Sequence, residues 1–309
     1  MRDPYYQIEA LSASGAKALL KSPLAYRHAM DAPRADTDAF RFGRLVHALT
    51  LQPQIVDDLC VVLPPRPDLS QVRDAKGNVP KVPAATEQGK AILAPWQAEC
   101  DALRLTAEAG EQYALAAADW AATKADAQPL ADALLDAPHP ETGWTLRTLL
   151  RDCPTMIEVA IAWQASTVVG DADAICPCKA KPDAVVSLPD GSVMCVDLKT
   201  TSADLTAADL SRTIAAYGYH RQAAHYLDAL ASQGVVDATF LLVFVAKEPP
   251  HDACWIRLSQ EALSIGAAEM QTAKAIFAAC TKAERWPGAQ ASGMLPVEIG
   301  LPKWYRPED

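Results

Sequence analysis

The 309-residue chain has no run of about 18 or more apolar residues, the length a membrane-spanning helix needs. Its opening residues, MRDPYYQIEA, lack the apolar stretch of a secretory signal. No membrane association and a cytoplasmic location are the expectations. No internal repeat is visible. The cysteines, eight in all, lack zinc-site spacing. The closest pair, Cys176-Pro177-Cys178, has one intervening residue and no second pair after it. Free thiols are expected rather than a disulfide framework. Basic charge is also short, with a formal net charge of −10. This counts against a protein that coats nucleic acid non-specifically, because affinity for phosphate comes mostly from Lys and Arg. It does not exclude an enzyme with a local basic groove.

The chain reads as a single domain, residues 1–309, in three parts. Residues 1–60 are helical and comparatively basic: the first 44 residues hold seven Lys/Arg against five acids. Ser12 or Ser14 can cap a helix through Ala16, Leu19 and Leu20 that stops before Pro23. Thr37 or Asp38 can cap a second, FRFGRLVHALTL, that stops before Pro53. Residues 61–150 open with a Pro-rich loop, PPRPDLSQVRDAKGNVPKVP. Ala-rich helical sequence then runs from about Thr86 to Leu135, broken near Pro129. This part reads as a helical insertion without chemistry. Residues 151–309 change character. TMIEVAIAW (155–163) alternates like a strand. So do 183–188 and 193–198, separated by the turn Pro189-Asp190-Gly191. A helix is expected over 205–232, then strands at 239–246 and 253–258. Strands, a helix and more strands predict an α/β core with a mixed sheet.

Chemistry concentrates in that third part. Along the strand VMCVDLKT, Cys195, Asp197 and Lys199 share one face while Met194, Val196 and Leu198 take the other. An acid inside such a strand needs a cation or hydrogen bonds to compensate its burial. Lys199 or a metal ion can supply this. Counting back from the 189–191 turn brings Asp183 level with Asp197. Two carboxylates at one end of a hairpin suit Mg²⁺, with the Leu198 carbonyl as a third ligand. Glu158, between Ile157 and Val159, is the third acid. Taken singly, these residues also read as a salt bridge, a turn cap and an edge-strand acid.

The order Glu158, Pro182-Asp183, Asp197-Leu198-Lys199 resembles the PD-(D/E)XK nuclease superfamily. His47 upstream in GRLVHAL and Gln222-x-x-x-Tyr226 downstream in YHRQAAHY complete the order of RecB-like nucleases. Four residues apart, Gln222 and Tyr226 share a helix face. Further stretches, from LSASGAKALLKSPLAYRHA through CKAKPDAV and VDLKTTSAD to ERWPG, resemble the exonuclease VIII (RecE) C-terminal nuclease domain and its phage relatives. The resemblance implies a restriction-endonuclease-like core, a mixed sheet flanked by helices, with N-terminal helices and an insertion. It implies a Mg²⁺-dependent 5′-to-3′ exonuclease on double-stranded DNA, with Mn²⁺ as a possible substitute. It also implies a ring-shaped oligomer, a tetramer being favoured, a single-strand annealing protein as partner, and a bacterial or phage-infected cell.

Position by position, the resemblance makes His47, Glu158, Asp183 and Asp197 metal ligands, with the Leu198 carbonyl. Lys199 becomes the catalytic lysine, and Gln222 and Tyr226 the helix facing the substrate. Asp183, Asp197 and Leu198 are expected to hold one ion, with Glu158 and His47 completing a second position. Arg41 and Arg44, one turn from His47, are candidate phosphate contacts. So is Lys181, although relatives often carry Arg there, which alone makes bidentate phosphate contacts. Some related nucleases hold an iron–sulfur cluster through one Cys before the His and three after the QxxxY helix. Here none precedes His47 and only Cys254 and Cys280 follow Tyr226, so no cluster is expected. Two other readings stand beside the exonuclease: a Cas4-like or other PD-(D/E)XK endonuclease, and a non-catalytic DNA-end-binding protein.

Overall fold

A computed structural model describes residues 4–31, 37–74 and 76–302. Helices α1 (Ala13–Leu19), α2 (Pro23–Asp31) and α3 (Asp38–Leu51) come first. Ser12 caps α1 by accepting from the Gly15 amide, and Thr37 caps α3 by accepting from the Phe40 amide. Each satisfies a donor that the first turn leaves unpaired.

The insertion contains more than helices. Strand β1 (Cys60–Leu63) precedes the Pro-rich stretch, then come α4 (Glu87–Ala109), β2 (Tyr113–Ala116), α5 (Ala117–Asp136) and α6 (Leu146–Asp152). β1 and β2 pair in parallel as a small separate sheet. The break expected near Pro129 falls instead around Gly110 and Glu111, where Glu111 takes φ +55°. Pro129 lies inside α5. An internal proline costs about 3 kcal/mol. Its ring faces solvent, while Trp120, Leu130 and Leu134 are buried on the same helix. At roughly 1.5–3 kcal/mol per large buried side chain, that packing outweighs the defect.

The core sheet takes its strands from the third part: β3 (Thr155–Ile157), β6 (Ala184–Ser187), β7 (Val193–Thr201), β8 (Ala238–Ala246) and β9 (Ala253–Arg257), in that spatial order. β7 and β8 run parallel and the other neighbours antiparallel. The parallel pair needs a crossover, which α7 (Ala207–Tyr217) and α8 (Tyr219–Ser232) supply. Met194, Val196 and Leu198 pack with residues of α3 and α5 on one face. Cys195, Phe240, Leu242 and Phe244 pack with residues of α7 and α8 on the other. The result is the expected mixed sheet between helical layers. A hairpin of β4 (Ile161–Val169) and β5 (Ala172–Ala180) packs with α1 and α9 (Gln260–Ala283) as a third cluster.

Two expected elements are each split. The run 155–163 is not one strand. Glu158 has φ +52°, a region that side chains other than Gly rarely occupy. The chain leaves the core sheet there and enters the β4–β5 hairpin. The helix expected over 205–232 is two helices, because Gly218 ends α7 with φ +75°. Both breaks lie at the candidate site.

Candidate active site

The register of β6 and β7 pairs Ala184 with Val196. One step further, Asp183 and Asp197 stand level, as counted from the turn. Asp183 Oδ2 accepts the Leu198 amide at 2.7 Å, which ties one acid to the main chain beside the other. The Glu158 amide donates to the Asp183 carbonyl at 3.0 Å. The left-handed backbone at Glu158 is thus held by the residue whose neighbourhood its side chain joins, a placement of strain typical of functional sites. From α3, His47 Nδ1 comes within 3.5 Å of Asp183 Oδ2.

Asp197 is completely buried. Its Oδ1 accepts Gln222 Nε2 at 2.9 Å, and its Oδ2 is ion-paired with Lys199. Gln222 also donates to the Tyr226 hydroxyl at 3.0 Å, and that hydroxyl donates to the Lys181 carbonyl at 3.1 Å. The four-residue spacing on α8 therefore fixes two things at once: the Asp197 carboxylate and the main chain just before Pro182. The other histidines of α8 are structural. His220 pairs with Glu269, and buried His225 bonds the Lys179 carbonyl.

Burial is the largest influence on both acids and pushes Asp183 and Asp197 each to about 6, against the opposing pull of Lys199. Burial works against the Lys199 ammonium too, but Asp197 and Asp183 outweigh it and raise its pKa. Without a metal the lysine is a firm cation. Burial, followed by the charge of Lys199, lowers His47 and favours a neutral imidazole able to act as a ligand.

His47, Glu158 and Asp183 each offer a ligand atom, and the three atoms lie within 4.8 Å of one another. Two carboxylates and an imidazole fit a divalent ion. Asp183, held near 6 by burial, gains most from an added positive charge. The trio is His47, Glu158 and Asp183, while Asp197 stands beside it, turned to Lys199 and Gln222.

The acids open into a cavity of about 560 Å³, lined in part by Glu158, Asp183, Arg44, Lys181 and Gln222. Lys181 Nζ pairs with Glu158 at 2.6 Å. Arg44 donates to the Glu111 carbonyl. Arg41 instead lies against Asp38 and the Tyr113 ring. The insertion therefore reaches the site through Glu111, although its sequence shows no chemistry. Tyr219 was also missed: Lys199 Nζ sits 4.8 Å from its ring centroid. The signal for it was Gly218 between two tyrosines, a helix stop followed at once by a restart.

The five-stranded mixed sheet between helical layers is consistent with a PD-(D/E)XK-like core. Residues 163–294 match the family model described as a PDDEXK-like domain of unknown function, and this match supports a nuclease. No curated protein sequence matches the chain. Among solved structures, a protein from Eubacterium rectale described as a "putative exonuclease" is similar at 13% identity and TM-score 0.47, over 93% of this chain and 83% of that one. SSO0001 is similar at 13% identity and TM-score 0.25, over 38% of this chain and 48% of that one. Among the described residues, no helix is long and apolar enough to cross a membrane.

Proposed function

We propose that this protein is a Mg²⁺-dependent exonuclease that digests linear double-stranded DNA from its 5′ ends and leaves 3′ overhangs for annealing-type recombination. The convergence of His47, Glu158 and Asp183 beside the Asp197–Lys199 pair, at the wall of an open cavity, carries the metal-dependent hydrolysis. Strand polarity, a tetrameric ring around the DNA and a single-strand annealing partner rest on the resemblance to RecE-type nucleases.

In this reading His47, Glu158, Asp183 and Asp197, with the Leu198 carbonyl, would hold Mg²⁺, or Mn²⁺ in its place. A bound ion of this kind stabilises charge on a non-bridging phosphate oxygen and makes water easier to ionise. Lys199, oriented by Asp197, adds a fixed positive charge next to the phosphate and positions the attacking water. Gln222 keeps Asp197 in place. Arg44 and Lys181 meet neighbouring phosphates after exchanging their contacts with Glu111 and Glu158.

Topology of the DNA tests the reading. With Mg²⁺, linear duplex should release nucleotides from its 5′-ended strands and a closed circle should stay intact. Nicking or linearising the circle would favour the Cas4-like endonuclease. Binding of ends without release of nucleotides would favour the end-binding protein.

A further inference from the structure

A second cavity, of about 500 Å³, lies against another face of α8. Gln222 and Tyr226 of that helix line the cavity beside the acids, whereas His225 and Asp228 line this one. Trp163 of β4, with Met270 and Lys274 of α9, forms much of its remaining wall. The proposed hydrolysis uses no part of it. Its volume falls in the range of small-molecule sites, about 300–1,000 Å³.

Two buried nitrogens of its lining residues are unmet. Trp163 Nε1 and His225 Nδ1 have no hydrogen-bond partner among the described residues. They are of opposite kind. The indole N–H can only donate. His225 Nε2 lies 3.0 Å from the Lys179 carbonyl, which can only accept, so Nε2 carries the proton. Burial holds this imidazole at about 4 and therefore neutral near pH 7, which leaves Nδ1 a bare acceptor. The two ring centroids are 4.8 Å apart, so donor and acceptor are neighbours. Buried polar groups are almost always paired, and these two call for an occupant.

Charge narrows the choice. Lys274, 7% exposed, already pairs with Asp228 at 2.6 Å. The lining therefore holds no unmatched charge, and a phosphate would meet the Asp228 carboxylate along with the amine. An uncharged ligand with an acceptor and a donor on neighbouring atoms fits. One water meets both nitrogens but takes up only about 30 Å³. The aromatic rings of Trp163 and His225 and the thioether of Met270 suit a flat ring. A lactam, C=O beside N–H in a planar heterocycle, combines these properties, and thymine carries one.

We infer that this cavity binds the lactam edge of a free nucleoside, whose C=O accepts from Trp163 Nε1 and whose N–H donates to His225 Nδ1. The site is separate from the acids and does not depend on the nuclease reading.

The test is a titration of the full chain without metal, followed through the Trp163 indole N–H and Met270 methyl resonances, which report on this cavity. The probes are thymidine, N3-methylthymidine, which lacks the N–H, and propionamide, which has the amide without the ring. Thymidine should shift both resonances saturably. N3-methylthymidine should bind at least about fivefold more weakly, the least that one unmatched buried group costs. Propionamide should also bind more weakly. Trp163→Phe keeps a ring against His225 and should weaken thymidine by at least the same factor, read from Met270, with unchanged far-UV circular dichroism. No saturable shift at the solubility limit of thymidine leaves water as the occupant and overturns the inference. Equal binding of N3-methylthymidine overturns it too, as does equal binding of propionamide, which would mark a site for simple amides.

Discussion

Gln222 Nε2 lies 2.9 Å from Asp197 Oδ1, and this bond is the link between α8 and the buried acid of β7. It leaves the other carboxylate oxygen to Lys199. The amide does not need to touch substrate to matter: it sets the direction in which Asp197 presents its charge. Replacing such a supporting partner of a metal site commonly costs 10–100-fold in activity or metal affinity. Gln222→Ala should therefore reduce nucleotide release by roughly 10–100-fold while the far-UV circular dichroism stays unchanged. A loss below about twofold would mean that Asp197 is positioned without it.

Asp183 should destabilise the metal-free protein. Its folded value, about 6, lies above its ordinary 3.8. For a carboxyl raised in this way, stability is present below the ordinary value and lost as pH rises through the folded one. Near neutral pH the charged group costs up to roughly 3 kcal/mol. Asp183→Asn keeps an oxygen for the Leu198 amide and removes the charge. In chelator near pH 7 it should raise stability by roughly 1–3 kcal/mol while abolishing cleavage. Thermal melts with and without Mg²⁺ check this, since only wild type should gain stability from the ion.

His225 predicts the opposite pH dependence. Burial is the main cause that holds it down at about 4, below its ordinary 6.5. A base depressed in this way contributes stability above its ordinary value and loses it as pH falls through the folded one. From about pH 7 to about pH 4, wild type should lose up to roughly 3 kcal/mol through this residue. His225→Gln, which keeps a donor for the Lys179 carbonyl, should flatten that part of the curve. Chemical denaturation at several pH values measures the difference.

Arg44 and Arg41 should separate. Arg44 lines the cavity, whereas Arg41 lies against Asp38 and Tyr113. Arg44→Ala should weaken binding of linear duplex and reduce the slope of log affinity against log salt by about 0.9, the loss of one phosphate contact. Arg41→Ala should change the slope by less than half of that. Equal slopes for both variants would remove Arg44 from the DNA path.

Much of this site was legible because its chemistry is written in local spacing. The Pro189-Asp190-Gly191 turn and strand alternation gave the register that sets Asp183 level with Asp197. The four-residue step from Gln222 to Tyr226 put both on one helix face. The breaks were less legible. At Glu158 the side-chain alternation of a strand continues through a residue whose backbone turns left-handed, and nothing local marks the change. At Gly218 apolar periodicity runs on across the stop, although glycine marked it. Pro129 misled in the other direction, because burial of Trp120, Leu130 and Leu134 holds α5 together across it. The contact of Glu111 with Arg44 joins residues 67 positions apart, and such contacts leave no local trace.

The most direct test is digestion of end-labelled linear duplex by wild type and by Lys199→Ala, each with Mg²⁺ and with excess chelator. Release of nucleotides by wild type with Mg²⁺ alone, and almost none by Lys199→Ala in either condition, is the expected result. Continued release by wild type in chelator, or undiminished release by Lys199→Ala, would contradict the account.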